Sequence, residues 1–273
     1  MIHFLRNTSF EKFLKKKPLL FYFASNLLSY LDFLLPYETD WYFFKNIKIK
    51  KNDVIFDVGA HHGESVKVFR RFFQNTIYCF EPNKRAFKKL ETNTKKFENI
   101  KIFNFGISNE ETNNILYTPK INNFFFDLLG SDNLLGVKKN LSRVGFDKSN
   151  FKFQKDIVKF KKIKKKIKKV SIIKIDVEGF EFEVIKGLQN IIKINKPLIF
   201  IEYHKSSFSN VNKYLKNYKI FYFNNDNKKL FEFSKIYSAI KVLKRENSAI
   251  NYIMIHNLKL KAYSNIISKC KSN

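Results

Sequence analysis

The sequence predicts an α/β fold in which helices cover both faces of a mostly parallel, seven-stranded sheet with one antiparallel strand. Short apolar runs alternate with amphipathic helical patterns from Val54 onward, which is typical of a parallel sheet. The run VIFDV leads directly into a glycine-containing turn and then a helical pattern. The run VSIIKIDVEG is almost uniformly apolar, as expected for a strand buried on both faces.

The predicted strands are, in order, DVIFDVG, TIYCFEP, NIKIFNFGIS, VSIIKIDVEG, LIFIEYH, KIFYFN and NYIMIHN, and we expect the last two to pair antiparallel. The predicted helices cover residues 64–73, 84–97, 182–192 and 211–218. Asn, Gly and Asp punctuate residues 112–155, which favours a long irregular loop. Apolar residues recur at helical spacing within residues 159–169, which predicts an amphipathic helix with a solvated lysine face.

The segment before the first strand is predicted to be a helical N-terminal extension, residues 1–50, preceding one α/β domain at residues 51–273. Residues 18–36, PLLFYFASNLLSYLDFLLP, are apolar and follow three lysines. Asp32 and several polar residues interrupt this stretch, which favours one or two helices packed on the domain over a membrane span. Peripheral contact with a membrane surface is the alternative.

The chain carries a formal net charge of +28 over 273 residues, yet only six of its 52 basic residues are Arg. Such a charge fits a nucleic acid or an anionic membrane as partner. Phosphate and base recognition favours the planar guanidinium of Arg, however, so we interpret most of the charge as solvated surface. Hydrophobic residues make up 44% of the chain, which excludes a disordered protein.

The two cysteines, Cys79 and Cys270, lie far apart in the sequence. Their spacing indicates neither a disulfide framework nor a zinc site. This pattern is consistent with a reducing, cytoplasmic compartment.

The turn after the first strand contains Asp57, Gly59 and Gly63, and Glu64 follows at once. Glycines allow a backbone to adopt positive φ and to approach a ligand closely. The spacing differs from the G-x-G-x-x-G of dinucleotide sites, and an acidic side chain at the helix start repels a pyrophosphate. The turn therefore favours a ligand that has no phosphate, and favours a cationic ligand most.

The second and third strands end at residues suited to a nucleoside. Glu81 closes the second strand, where an acid can accept both hydroxyls of a ribose. Gly106, Ile107 and Ser108 follow the third strand, where an adenine ring can lie. A ligand with a ribose, an adenine and a positive centre but no phosphate matches S-adenosylmethionine.

Four ordered segments, DVGAHHGE, CFEPN, KIDVEGFEFEVIKG and KPLIFIEYH, resemble the FkbM family of S-adenosylmethionine-dependent methyltransferases. The resemblance runs from about Asp53 to His204 and continues more weakly to the end of the chain. It implies a Rossmann-like, seven-stranded methyltransferase fold with S-adenosyl-L-methionine as cofactor. It also implies methylation of hydroxyls, often on sugars, glycans or related natural products.

The resemblance assigns the turn after the first strand to the amino acid part of the cofactor, Glu81 to the ribose and the end of the third strand to the adenine. Asp176 ends the fourth strand, at the edge where open α/β sheets bind ligands. The predicted cofactor-binding residues are Asp57, Gly59, Ala60, His61, Gly63, Glu81, Asn83, Ile107, Ser108 and Asp176.

A hydroxyl acceptor needs positioning and a base that takes its proton. The predicted catalytic residues are Asp176, Glu178 and His204, with Glu202 as a carboxylate that could orient the imidazole. The alternatives are that His204 only caps its strand, that Glu181 only stabilises a helix dipole, or that these acids bind a divalent metal. Ser131 and Asp132 could contact the cofactor or the substrate from the long loop, or form a turn.

The function favoured by the sequence is O-methylation of a sugar, glycan or glycolipid precursor, in the synthesis of a surface polysaccharide or glycolipid. A 2′-O-methyltransferase acting on RNA is the alternative enzyme. A non-catalytic protein that binds nucleic acid or a membrane surface is the alternative from another class. The sequence leaves the acceptor and the oligomeric state open.

Overall fold

The structure is a computed structural model, and it describes residues 13, 16–31, 39–163, 167, 169–202, 205–224, 228–232 and 251–267. Its strands are β1 (Val54–Val58), β2 (Thr76–Phe80), β3 (Ile100–Phe103), β4 (Gly106–Ile107), β5 (Thr112–Ile121), β6 (Phe124–Phe125), β7 (Lys152–Lys161), β8 (Val170–Ile175), β9 (Leu198–Glu202), β10 (Tyr218–Asn224), β11 (Lys229–Glu232) and β12 (Asn251–His256). Its α-helices are α1 (Pro18–Leu31), α2 (Glu64–Phe72), α3 (Lys84–Thr94), α4 (Leu134–Val144), α5 (Glu181–Gly187), α6 (Gln189–Asn195) and α7 (Lys205–Tyr214).

The main sheet has eight strands in the spatial order β11-β10-β12-β9-β8-β1-β2-β3. The five strands from β9 to β3 are parallel, whereas β12 pairs antiparallel with both β9 and β10. Apolar side chains of α2 and α3 pack on one face of the sheet, and those of α5, α6 and α7 pack on the other. The predicted α/β class, the helices on both faces and the antiparallel pairing of β10 with β12 are confirmed.

The predicted count of seven strands with one antiparallel strand is wrong. Strand β11 adds an eighth and pairs antiparallel with β10, so that β11 and β12 both run against the other strands. The strand is only four residues long and begins at a lysine. Its apolar signal is therefore weak, and β11 is held mainly by its ladder with β10.

A second sheet, here called the small sheet, has the order β4-β7-β5-β6. The expectation of an irregular loop over residues 112–155 is wrong, because β5 and β7 pair antiparallel over nine residue pairs and α4 lies between them in sequence. The helix expected over residues 159–169 is wrong at 159–161, which belong to β7. The predicted third strand is divided between the sheets, with β3 in the main sheet and β4 in the small one.

The N-terminal segments pack in two different places. Helix α1 contacts the small sheet and its surroundings, with Phe21 placed 5.1 Å from Phe146 between ring centroids. The 3-10 helix Thr39–Asn46 buries Trp41, Phe43 and Phe44 in the core of the main sheet. The domain boundary at residue 50 stays a prediction. Among the helices of the described ranges, none combines the length and the apolar character that crossing a bilayer requires.

Candidate active site

A cleft of about 530 Å³ opens at the edge of the main sheet where β1, β2, β8 and β9 end. Parallel strands bring their carboxyl ends to one edge, so residues distant in sequence meet there. The small sheet and the segment before α4 form the opposite wall. The residues lining the cleft are Val58, Gly59, His61, Phe80, Glu81, Pro82, Asn83, Gly106, Ile107, Asn114, Ile115, Leu116, Asp127, Leu128, Gly130, Ser131, Asp132, Asn133, Val158, Phe160, Asp176, Val177, Glu178, Gly179, Phe180, Val184 and Glu202.

The turn after β1 depends on glycine at two positions. Gly59 has φ +78°, and a Cβ there would lie 1.8 Å from the carbonyl oxygen of Asp176. Gly63 has φ +90° and precedes α2. Positive φ is strained for residues with a side chain, and the close approach to Asp176 leaves no room for one. The turn therefore holds the ends of β1 and β8 in contact at the floor of the cleft.

Glu81 follows β2 and is 6% exposed, at the wall of the cleft. The backbone amide of His61 donates to one of its carboxylate oxygens at 2.9 Å, and the amide of Asn83 donates to the other at 2.8 Å. Each carboxylate oxygen can accept a second hydrogen bond. Burial raises the pKa of Glu81, while the His61 ring and these amides oppose the rise. The fixed carboxylate keeps acceptor capacity for a pair of neighbouring hydroxyls.

Lys174 is a buried lysine in β8 that the sequence interpretation missed. Its ammonium lies 3.2 Å from a carboxylate oxygen of Asp176 and 3.5 Å from one of Asp57, and it donates to the carbonyl oxygen of Gly59 at 2.9 Å. Burial would lower its pKa, but the two carboxylates hold the pKa of Lys174 above its ordinary value. A charged residue within an otherwise apolar strand is a sequence signal for such a partner, because an unpaired buried charge is too costly.

Asp57 lies beneath the cleft and is completely buried. The hydroxyl of Ser65 on α2 donates to one of its oxygens. Burial raises the pKa of Asp57, and the ammonium of Lys174 opposes that rise. This geometry makes Asp57 a support for the turn and for Lys174, because it is not among the residues lining the cleft.

Asp176 and Glu202 form a pair of carboxyl groups in the cleft. Burial and then the neighbouring Asp176 raise the pKa of Glu202 to about 10, so Glu202 keeps its proton at neutral pH. Burial also acts to raise the pKa of Asp176, but Lys174 and the hydrogen bond with Glu202 hold it below its ordinary value. The side chain of Asp176 is 41% exposed, because it faces the open cleft. The pair therefore carries one proton and one negative charge.

The other acids after β8 differ in position. Glu178 lines the cleft in a left-handed conformation with φ +51°, and its carboxylate is 3.9 Å from the guanidinium of Arg143. Glu181 is buried, and one of its carboxylate oxygens accepts a hydrogen bond from the backbone amide of Gly179. His204, the predicted base, lies outside the described residues.

Two adjacent histidines occupy the turn. The rings of His61 and His62 stack with centroids 3.6 Å apart, and Glu64 lies within 3.7 Å of an Nδ1 atom of each. Their ligand atoms lie within 4.8 Å of one another. A metal ion lies in the plane of an imidazole that binds it, however, and these two rings stack face to face with 25° between their planes. Chelation of one ion by both rings would thus need one ring to rotate.

Asn83 and Asp127 connect the main sheet to the small sheet. The side-chain oxygen of Asn83 accepts from the amides of Arg85 and Ala86 at the start of α3, and its Nδ2 donates to Asp127 at 3.2 Å. The guanidinium of Arg85 donates to Asp127 at 3.2 Å and to Asp156 at 2.7 Å. Asp127 lines the cleft and was missed in the sequence, where it stands among apolar residues of the supposed loop.

The structure brings many, but not all, of the predicted site residues to the cleft wall. Gly59, His61, Glu81, Asn83, Ile107, Asp176 and Glu178 line it. Asp57, Ala60, Gly63 and Ser108 are not among the lining residues. The backbone amide of Ser108 donates to the carbonyl of Lys161 in β7. Ser131 and Asp132 also line the cleft, from a segment bridged to Tyr117 of β5.

S-adenosylmethionine, which the sequence implies, fits the residues present. Gly59 presents its backbone at the cleft floor, where there is no room for a Cβ atom. Glu81 offers acceptor capacity for the ribose hydroxyls, and the buried Ile107 offers an apolar surface for a base. The acidic lining residues are Glu81, Asp127, Asp132, Asp176, Glu178 and Glu202, and the lining of the described chain includes no lysine or arginine. A cationic sulfonium is favoured in such surroundings.

Comparisons with known proteins place the chain in a family. A family profile, the methyltransferase FkbM domain, matches residues 57–222, which is more than half of the chain. No curated protein matches the chain at a significant level.

Among solved structures, the methyltransferase FkbM from Methylobacillus flagellatus KT is similar over 77% of this chain, at 15% identity and a TM-score of 0.45. This chain covers only 45% of the length of that protein. An rRNA methylase from Streptococcus thermophilus is similar over 79% of this chain and 92% of its own, at 9% identity and a TM-score of 0.41. A putative methyltransferase from Streptococcus mutans in complex with SAH is similar over 78% of this chain and 93% of its own, at 9% identity and a TM-score of 0.39.

The family profile spans β1 to β10 and includes the turn, Glu81 and the Asp176–Glu202 pair. The chain belongs to the FkbM methyltransferase family, and its cofactor is S-adenosylmethionine.

Proposed function

We propose that the protein is an S-adenosylmethionine-dependent O-methyltransferase that acts on a hydroxyl of a sugar, glycan or glycolipid precursor. The observation that carries the proposal is that Asp176 and Glu202 line the same cleft as Glu81, with the ammonium of Lys174 3.2 Å from Asp176. A base beside the cofactor site is what a hydroxyl acceptor requires.

The bound cofactor supplies an electrophilic methyl group. The carboxylate of Asp176 accepts a hydrogen bond from the acceptor hydroxyl and so orients the oxygen for in-line attack. As the new C–O bond forms, the hydroxyl proton becomes strongly acidic, and even the weakly basic Asp176 can take it. The methyl–sulfur bond breaks as the C–O bond forms, so the products are a methyl ether, the demethylated thioether form of the cofactor and a proton on Asp176. This proton passes to solvent through the open cleft.

Glu202 and Lys174 keep Asp176 ready for this role. Protonated Glu202 donates a hydrogen bond to Asp176, and the ammonium of Lys174 lies 3.2 Å from the same side chain. Both partners hold the carboxylate in one rotamer and in its ionised form. Lys174 acts through Asp176 and is therefore a positioning residue.

The lining of the cleft supports a polyhydroxylated, uncharged acceptor. Asn114, Ser131 and Asn133 supply amide and hydroxyl groups along one wall. The rings of Phe160 and Phe180, 5.1 Å apart between centroids, supply apolar faces for the C–H surface of a sugar. The ionised lining acids, which exclude the protonated Glu202, disfavour RNA, because its phosphates would meet like charges.

Transfer of a labelled methyl group tests this proposal. The protein is incubated with radiolabelled methyl donor and a cell extract divided into glycan, lipid, RNA and small-molecule fractions. We expect label in the glycan or glycolipid fraction, as a methyl ether that withstands mild base. We also expect Asp176→Asn to lower turnover at saturating cofactor by at least about 100-fold. Label confined to RNA, or full activity of Asp176→Asn, would contradict the proposal.

A further inference from the structure

The ribbon formed by β5 and β7 has one buried face and, around Ile115 and Ile157, one exposed face. On the buried face, Asp156 accepts from Arg85 at 2.7 Å, and Thr118 and Val158 are buried. Side chains alternate along a strand, so the residues between these point outward. Ile115 pairs directly with Ile157 on the outward face, and the two side chains are 44% and 77% exposed.

Lysines flank this exposed aliphatic pair on the same face. Lys155 and Lys159 lie two residues on either side of Ile157, and both are exposed. Lys155 pairs with Tyr117 and lies over its ring at 5.4 Å, which places its side chain on the outward face. The face therefore presents a strip of apolar side chains between two flexible cations.

Further exposed apolar side chains lie at the mouth of the cleft. Ile115 and Leu128 line the cleft, and Leu128 is 54% exposed. Leu134 and Leu135 begin α4, directly after the lining residue Asn133, and Leu135 is 79% exposed. The exposed Lys138 and Lys139 follow on the same helix. We call the set of Ile115, Leu128, Leu134, Leu135 and Ile157 the apolar rim.

We infer that the apolar rim and its flanking lysines dock the protein on an anionic lipid bilayer, which brings the mouth of the cleft to acceptors held at the bilayer surface. The access of the cleft to these acceptors rests on the proposed function, whereas the docking itself does not. Lysines extend their ammonium groups to lipid phosphates while aliphatic side chains enter the boundary between headgroups and acyl chains. The net charge of +28 strengthens attraction to a negative leaflet.

RNA fits this surface less well. Phosphates would pair with the lysines, but recognition of single-stranded bases uses aromatic stacking, and exposed Ile and Leu side chains offer neither stacking nor hydrogen bonds. A bilayer interface accommodates both the cations and the aliphatic groups. The combination on one face therefore favours lipid.

Flotation with vesicles, in the absence of cofactor, tests the docking alone. Vesicles of equal parts phosphatidylglycerol and phosphatidylcholine are mixed with protein at about 150 mM salt, where long-range attraction is screened. We expect the wild-type protein to float with these vesicles. We expect Ile157→Asp to reduce the bound fraction by at least about tenfold, and the neutral Ile157→Ser by several-fold, because an anchoring aliphatic group is lost.

Leu258→Asp is the matched control. Leu258 is 74% exposed, close to the value for Ile157, but it follows β12 at the opposite edge of the sheet. This substitution changes the net charge by the same amount but lies outside the apolar rim. We therefore expect the bound fraction to fall by at most about twofold. Thermal unfolding of all variants should match the wild type, since these side chains are exposed.

Three outcomes would overturn the inference. Equal losses for Ile157→Asp and Leu258→Asp would show attraction by net charge alone. Unchanged flotation of Ile157→Asp and Ile157→Ser would show that the rim does not enter the bilayer. A dimer of the wild type that dissociates in Ile157→Asp would assign the rim to a second copy. Failure of the proposed function would instead appear as absent methyl transfer with intact flotation.

Discussion

Replacing Lys174 with Met tests the buried charges beneath the cleft. Methionine has nearly the same length but removes the cation that lies 3.5 Å from Asp57 and 3.2 Å from Asp176. Asp57 is completely buried, so its carboxylate would lose a nearby positive charge and could not gain water instead. Breaking a buried ion pair from one side costs about 3–5 kcal/mol, and we expect that loss in the free energy of unfolding at neutral pH. Urea denaturation measures it.

The loss of stability in Lys174→Met should increase as the pH rises. Because the pKa of Lys174 is raised in the folded protein, its contribution to wild-type stability is complete below its unfolded pKa of about 10.5. This contribution is therefore constant between about pH 5 and pH 8. In the variant, the pKa of Asp57 rises further above its unfolded value. The folded variant then holds a proton that the unfolded chain releases, so its stability increases as the pH falls. The difference between the two proteins should be larger at about pH 8 than at about pH 5.

Lys219→Met is the matched control. Lys219 also lies in a strand of the main sheet, but its pair with Glu232 is exposed. Exposed pairs contribute about 0–1 kcal/mol, so the control should lose no more than that. Adding Asp57→Asn to Lys174→Met should restore part of the stability. Equal losses for Lys174→Met and Lys219→Met, or a loss independent of pH, would refute the reasoning.

Two further variants examine the cleft itself. Glu81→Gln should weaken S-adenosylmethionine binding in calorimetry by at least about tenfold, because a charged acceptor is worth about 1.5–3 kcal/mol. Glu183→Gln is the control and should leave the affinity unchanged, because the half-buried Glu183 is not among the residues lining the cleft. Equal effects of the two variants would count against the ribose assignment. Glu202→Gln should raise the free energy of unfolding at pH 7 by up to about 3 kcal/mol, since the folded wild type retains its proton up to about pH 10 while the unfolded chain releases it near 4.5. The gain should vanish at about pH 4, and lower stability of Glu202→Gln at pH 7 would show that Glu202 is ionised.

The parallel half of the main sheet was predictable because its signals are local. The run from Val54 to Val58 is apolar, and the glycines after it need positive φ, so strand, turn and helix follow from short stretches of sequence. Glu81 was predictable for the same reason, since a lone acid directly follows an apolar strand. These arguments need no knowledge of contacts between distant residues.

The small sheet could not be predicted in this way. Strand β5 contains Asn113, Asn114 and Pro119, which have low strand propensity, and its partner β7 begins 31 residues after β5 ends. Pairing with β7 decides its conformation, and that pairing is a long-range contact. Likewise, the apolar residues within 159–169 fit helical spacing, and only the pairing of Lys159 with Asn113 shows that this segment begins in a strand.

Lys174 was missed for a different reason. Its charge was visible inside an apolar strand, but which groups compensate it depends on the register of β8 with β1, where Lys174 lies beside Asp57. The role of Asp127 depends in the same way on Arg85 and on the small sheet. Residues that act through a neighbour become visible only once the neighbour is placed.

The acidic lining of the cleft distinguishes the cofactor before the reaction from the cofactor after it. Methyl donation turns a sulfonium into a neutral thioether, so the attraction to carboxylates such as Asp176 and Glu178 weakens at the moment of turnover. The demethylated cofactor should therefore bind more weakly, and dissociate faster, than the methylated cofactor. This protein should consequently resist product inhibition, and added salt should narrow the gap between the two affinities.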